Sequence, residues 1–175
     1  AVIKEWTRLW RKGVFGATSV ADVREWADVA REARDSEREV HMGIVFGILV
    51  EKNSELPDED ERKKYKYRVV FQGNRTINQD WEQAVFTDGS SKPVAMEVGK
   101  IADWYACLPG HAQQQADAEQ AYVQADMRGC ETWVNLPNLD ECPTAFPGWW
   151  KDAFRDMKRP VVRIQKALYG HPKAR

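Results

Sequence analysis

The stretch "KYKYRVVFQGN", residues 64 to 74, constrains the fold more than any other in the chain. Charged and apolar side chains alternate in it with a period of two. An extended strand therefore puts Lys64, Lys66 and Arg68 on one face and Tyr65, Tyr67, Val69 and Phe71 on the other. Three cations then stand about 6.6 Å apart along a single side. Upstream, Met42 to Glu51 is a second run rich in β-branched and aromatic residues, and the acidic, Pro-containing segment "ELPDEDE" separates the two. That order predicts a β-hairpin with a long tip. A charged strand face serves equally well as a solvated surface, so the alternation by itself assigns no role.

Around the hairpin the pattern changes period. Ile3, Trp6, Leu9 and Trp10 recur at helical spacing over residues 2 to 12, and Gly13 and Gly16 close that segment. A second helix is expected from about Val20 to Arg38, with Ser19 as N-cap and Val20, Val23, Ala27 and Ala30 as its apolar stripe. Both read as packing surfaces or connectors. A third helix is expected from Lys92 to Leu108, its stripe formed by Val94, Val98, Ile101, Tyr105 and Leu108, with Pro93 in the first turn. Thr132 to Leu136 reads as a short strand, Trp149 and Trp150 fall in a loop, and "PVVRIQKALYG" reads as a strand running into a turn. Helices and strands that alternate irregularly indicate an α+β domain.

At 175 residues a single hydrophobic core is the default. The longest apolar run, "GIVFGILV", is far short of the roughly 20 residues a membrane helix needs. The first residues lack an initiator Met, a continuous apolar stretch and a small-residue cleavage site, so the chain reads as an internal fragment and not as a secretory precursor. Cys107, Cys130 and Cys142 share no C-x-x-C spacing, and His41, His111 and His171 are scattered. This disfavours both a disulfide framework and a zinc site and fits a reducing intracellular compartment. Lys plus Arg total 26 against 27 for Asp plus Glu, so there is no global pull toward nucleic acid or membrane. Cations do cluster locally, from Arg62 to Arg75 and again from Lys151 onward.

One further stretch, "QQQADAEQAYVQADM" (113 to 127), sets Asp117 five residues before Tyr122 in small and polar surroundings. Taken with "KYKYRVVFQGN", "ETWVNLP" (131 to 137) and "VVRIQKALYGHPKA" (161 to 174), it resembles the reverse transcriptase domain of copia-type retrotransposon polyproteins over roughly residues 41 to 174. The resemblance implies an incomplete fingers and palm fold over residues 41–175; residues 1–40, a helical lead-in by their periodicity, lie outside the matched region. It implies an RNA-directed DNA polymerase that extends a primer by two-metal nucleotidyl transfer. Asp117 would be the catalytic carboxylate and a Mg²⁺ ligand, with the backbone carbonyl of Ala118 as a further ligand. Lys66 and Arg68 would meet the triphosphate, as would backbone near Gln120 and Ala121. Tyr122 would close on the sugar, and Tyr169 and Gly170 would line the nucleotide and template side.

The partners implied are an RNA or DNA template-primer, deoxynucleoside triphosphates and the remainder of the polyprotein, including integrase and an RNase H-like region, with no membrane. The setting implied is intracellular, in a cytoplasmic virus-like particle or the nucleus. The chain departs from the family after "ALYG", where "HPKAR" replaces the usual continuation, and it stops before the Tyr-x-Asp-Asp strand that carries the remaining metal-binding acids. The alternative is a catalytically dead remnant that binds nucleic acid or protein. A third reading is an unrelated α+β domain whose basic strand and Asp117 are surface features.

Overall fold

The expected hairpin is present at one edge of the sheet. The computed structural model describes residues 1–86, 94–116, 120–138 and 146–172. Strands β2 (Val40–Lys52) and β3 (Lys64–Phe71) pair antiparallel from Val45 opposite Phe71 to Lys52 opposite Lys64. The alternation maps onto faces as the sequence dictates: Val69 and Phe71 are buried, whereas Lys64, Lys66 and Arg68 are exposed. Two glycines on β2 make room for β3 rings, since a Cβ at Gly43 would collide with the Phe71 ring and one at Gly47 with the Tyr67 ring.

Two of the tip acids are paired with cations of the tip itself. The Asn53 side chain donates to the Arg62 carbonyl at 2.8 Å, and the Arg62 guanidinium holds Asp60. That contact, led by the side-chain hydrogen bond, keeps the Asp60 carboxyl below the usual carboxylate range. Lys63 sits between Asp58 at 2.6 Å and Glu51 at 3.8 Å. The tip acids thus engage the first two cations of the basic run, and among the described residues Lys64, Lys66 and Arg68 form no ion pair.

Four short strands complete a mixed sheet: β1 (Arg24–Glu25), β4 (Ile77–Asn78), β5 (Glu131–Asn135) and β6 (Pro160–Arg163). The order is β1-β6-β5-β2-β3, with β4 also on β2; β2 and β5 run parallel and the other pairs antiparallel. Because β5 pairs only with Val40 to Ile44, the distal half of β2 leaves the sheet with β3 as a two-stranded ribbon. With helices α1 (Val2–Arg11), α2 (Trp26–Asp35), α3 (Met96–Ala106) and α4 (Trp150–Asp156), the described chain is α+β.

Consecutive strand residues go to different cores, as the two-residue period requires. Trp133 and Val161 join Trp26, Val29, Ala30, Ala33, Val40 and Met42 under α2. Their neighbours Val134 and Val162 join Trp6, Leu9, Phe15, Val45, Phe71 and Trp150 on the other face. Aromatic rings tie that second core together, with centroids 4.6 Å apart for Trp6 and Phe146 and 4.9 Å for Trp10 and Phe15. Residues from the first 40 therefore contribute to both cores.

Three expectations are corrected. The helix placed at Val20 to Arg38 begins only at Trp26. Ser19 caps a single 3-10 turn (Val20–Asp22), where Asp22 Oδ2 accepts from the Ser19 amide at 2.9 Å, and the chain then extends so that Arg24 and Glu25 can pair with β6. The buried stripe moves accordingly: Val20 and Ala27 are exposed, and Trp26, Val29, Ala30 and Ala33 face the sheet. The helix placed at Lys92 to Leu108 is Met96–Ala106, and its stripe residues Val98, Ile101 and Tyr105 are 54%, 63% and 55% exposed instead of buried. Lys92 and Pro93 lie outside the described residues. Trp149 and Trp150, assigned to a loop, open α4, and Trp150 is buried.

The corrected register of α2 has a direct test. Trp26→Ala is expected to cost about 3–5 kcal/mol in urea unfolding, the usual loss for a fully buried Trp, whereas Ala27→Ser is expected to change stability by less than about 0.5 kcal/mol. The reverse ranking would restore the Val20 to Arg38 helix.

Candidate functional site

The segment after Gln120 is held beside the one that leads to Tyr169. Met127 donates its amide to the Gln165 carbonyl at 2.8 Å, and the Ala167 amide donates to the Ala125 carbonyl at 2.9 Å. Between them Asp126 and Lys166 pair both as a β-bridge and through a 2.6 Å side-chain contact. The Lys166 ammonium, by its hydrogen bond first and its charge second, holds the Asp126 carboxyl below its ordinary range.

From there the chain turns onto the hairpin. The Phe71 amide donates to the Tyr169 carbonyl at 2.7 Å. Gly170 follows with φ +83°, and a Cβ there would run into the Phe71 carbonyl oxygen. Only a residue without a side chain takes that backbone angle and that approach together. His171 is then buried against the Phe71 ring, 4.7 Å between centroids.

These two seams bring the aromatic and cationic residues together. The Tyr122 and Tyr169 rings lie 4.6 Å apart at 53°, and the Arg68 guanidinium carbon lies 5.9 Å from the centre of the Tyr169 ring, within cation–π range. Beside them opens a groove of about 450 Å³ whose apolar side is Ile48, Val50 and Val70 and whose polar side is Lys52, Lys66, Arg68 and Tyr169. The pairing register explains the arrangement, since Ile48 faces Arg68 and Val50 faces Lys66, so an apolar row runs alongside the cationic one. Among the described residues, no carboxylate lines it. Such a face attracts an anion that also carries a flat or apolar part.

The expected site residues separate clearly. Lys66, Arg68 and Tyr169 share the groove, and Tyr122, partly exposed, extends it through Tyr169. Ala121 opens a 3-10 turn (Ala121–Gln124) after Gln120 at φ 53° and does not line the groove. Gly170 serves the contact with β3, a different close approach from the one expected at a base pair. Asp117 and Ala118, the expected Mg²⁺ ligands, lie outside the described residues. Of the second basic zone, Lys166 is committed to Asp126, and Arg163 stands 3.8 Å from Glu131.

Ile48, Val50, Lys52 and Val70 escaped the sequence reading. Val70 follows from the two-residue period of β3, and Ile48, Val50 and Lys52 on β2 acquire meaning only once its register with β3 is known. The spacing argument against a metal site also missed a grouping across strands, in which Glu39, His41 and Cys130 come together.

The seam at Gly170 generates a stability prediction. Gly170→Ala is expected to destabilise the protein by about 2 kcal/mol or more, because a left-handed φ and a backbone collision add. Chemical denaturation measures it, and a loss below about 0.5 kcal/mol would remove the close approach as a constraint.

The chain matches no family model, no curated protein and no solved structure, so the role of this face rests on its own geometry.

Proposed function

We propose that the hairpin and its groove are the phosphate-binding fingers surface of an incomplete copia-type reverse transcriptase fold, part of an RNA-directed DNA polymerase. The observation that carries this reading is the convergence of Arg68, Lys66, Tyr122 and Tyr169, from three separate stretches, on one face whose described lining residues include no acid. Each group suits the task. The guanidinium of Arg68 forms no ion pair among the described residues, and its planar fork matches paired phosphate oxygens. Tyr169 holds it from one side, and the Tyr122 ring offers a surface against which a sugar or base packs. Lys66 and Lys52 add charge along the path of a backbone.

Asp117 and the Ala118 carbonyl are hard oxygen donors of the kind Mg²⁺ takes, and Asp126, the next acid after Glu119, is already bound to Lys166. Mg²⁺ held there would stabilise the charge that develops on phosphoryl oxygens. This chain's contribution is to bind and orient: Arg68 and Lys66 meet the phosphates, and the tyrosines fix the sugar end. The Tyr-x-Asp-Asp acids are not in the 175 residues, and one carboxylate does not hold two Mg²⁺ ions against their hydration.

A labelled single-stranded oligonucleotide read by fluorescence anisotropy at several salt concentrations tests the binding. Arg68→Ala and Lys66→Ala are each expected to weaken binding and to lower the salt slope by about 0.7, the share of one phosphate on a single strand. Deoxynucleoside triphosphate is expected to compete. Absence of binding, or binding indifferent to both substitutions, would sink the reading.

Primer extension with Mg²⁺ and deoxynucleotides checks the division of labour. The chain alone is expected to yield no product. Template-dependent extension would show that the acids needed for catalysis are all present in it.

A further inference from the structure

Strand β2 begins beside β5 in parallel register, with Val40 opposite Glu131 and His41 opposite Thr132. One step upstream, Glu39 therefore stands beside Cys130. The two-residue period carries His41 to the same side as Glu39. A carboxylate oxygen, an imidazole nitrogen and a thiol sulfur from these three residues all lie within 4.8 Å of one another. His41 Nε2 is 2.9 Å from Glu39 Oε1, and Cys130 Sγ donates to the Glu39 backbone carbonyl at 3.1 Å.

The chemistry of this donor set is selective. Sulfur, nitrogen and carboxylate oxygen together are the ligands of Zn²⁺, while Mg²⁺ and Ca²⁺ take oxygen throughout. Its mechanics are favourable too. The His41 ring is 2% exposed and packed edge to face on Phe86, 5.0 Å between centroids, so it is already fixed. Among the described residues it makes one hydrogen bond, to Glu39, and its buried Nδ1 has no partner. A metal at Nε2 thus exchanges for a single hydrogen bond. Glu39 is exposed and Cys130 half-buried, which leaves an entry path for the ion. Donors about 2.0–2.3 Å from zinc stand under about 4 Å apart, so closure needs only a shift of about 1 Å by the two outer side chains.

We propose that Glu39, His41 and Cys130 form a Zn²⁺ site that ties the start of β2 to the start of β5, with the fourth tetrahedral position left to water or an exogenous ligand. The site stands apart from the hairpin groove and does not depend on the function proposed above.

Co²⁺ replaces Zn²⁺ and reports its ligands by absorption. The reduced chain, stripped with a chelator, is titrated with Co²⁺. The expected result is the intense visible absorption of tetrahedral cobalt with a thiolate-to-cobalt band in the near ultraviolet, saturating at one ion per chain and displaced by Zn²⁺. Cys130→Ser is expected to abolish the thiolate band, and Cys107→Ser and Cys142→Ser to retain it. Glu39→Gln, on an exposed side chain that the fold does not require, is expected to weaken binding by roughly tenfold or more. It keeps the test decisive should Cys130→Ser fail to fold. Absence of the thiolate band, its survival in Cys130→Ser, its loss in Cys107→Ser or Cys142→Ser, or unchanged affinity in Glu39→Gln would each overturn the proposal.

Discussion

The contact between Phe71 and the Tyr169–Gly170 turn is the constraint on which the arrangement of the groove depends. One hydrogen bond of 2.7 Å and one missing Cβ let the chain arriving from β6 lie against the end of β3. The net worth of the hydrogen bond alone is about 0.5–1.5 kcal/mol, so it does not hold the hairpin by itself. What it fixes is position. Phe71 is buried on the core face of β3, and Arg68 points to the other face three residues earlier; placing the Tyr169 carbonyl at Phe71 therefore sets the Tyr169 ring beside the guanidinium. Tyr122 follows because the Ala125–Met127 segment is pinned to Gln165–Ala167, which lead directly into that turn.

Rigidity for this turn comes from the sheet beneath it. Strand residues that alternate between two cores are buried whichever way they point, and each fully buried large apolar side chain contributes roughly 1.5–3 kcal/mol. Val134 and Val162 are both fully buried on the face that also holds Phe71 and Leu168. The seam thus rests on a fully buried part of the sheet. Beyond Val45 the ribbon has no third strand on either edge among the described residues, and its side chains are exposed on both faces apart from the base. A two-stranded ribbon of this kind is marginal alone, so the tip contacts of Asn53, Asp60 and Lys63 matter for keeping its strands in register.

How much of this was legible depended on distance along the chain. The hairpin could be read because its alternation, its turn residues and its pairing are all local. The start of α2 could not. Ser19 followed by Asp22 is the signature of a helix start, and the same hydrogen bonds close a 3-10 turn; what decides between them is the pairing of Arg24 and Glu25 with Val161 and Pro160, which no local pattern announces. Periodicity over 94–108 correctly indicated a helix, but a stripe says which face is apolar and not what covers it, and the stripe of α3 is exposed. Within the site, Arg68 and Tyr169 were named from motifs, while Ile48 and Val50 needed the β2–β3 register. The grouping of Glu39, His41 and Cys130 needed a parallel pairing between strands some 90 residues apart, with Cys130 held to the Glu39 carbonyl.

The charge of the chain illustrates why sums mislead. A net charge of −1 suggests indifference to polyanions, yet the ribbon sorts its charges in space. Asp58 and Asp60 bind Lys63 and Arg62 at the tip, so the acids of "ELPDEDE" are partly spent at a distance from Arg68. Interactions between exposed charges fade over about 8 Å at physiological ionic strength, and Arg68 stands about 13 Å along the strand from Lys64, where the tip begins, so those acids act weakly on Arg68. Beside Tyr169 the groove presents the local set of Arg68, Lys66 and Lys52, with an apolar row behind it and no acid among its described lining side chains. The alternation along "KYKYR" is what makes this separation possible: the same two-residue period that buries Val69 and Phe71 obliges the cations to share the opposite face.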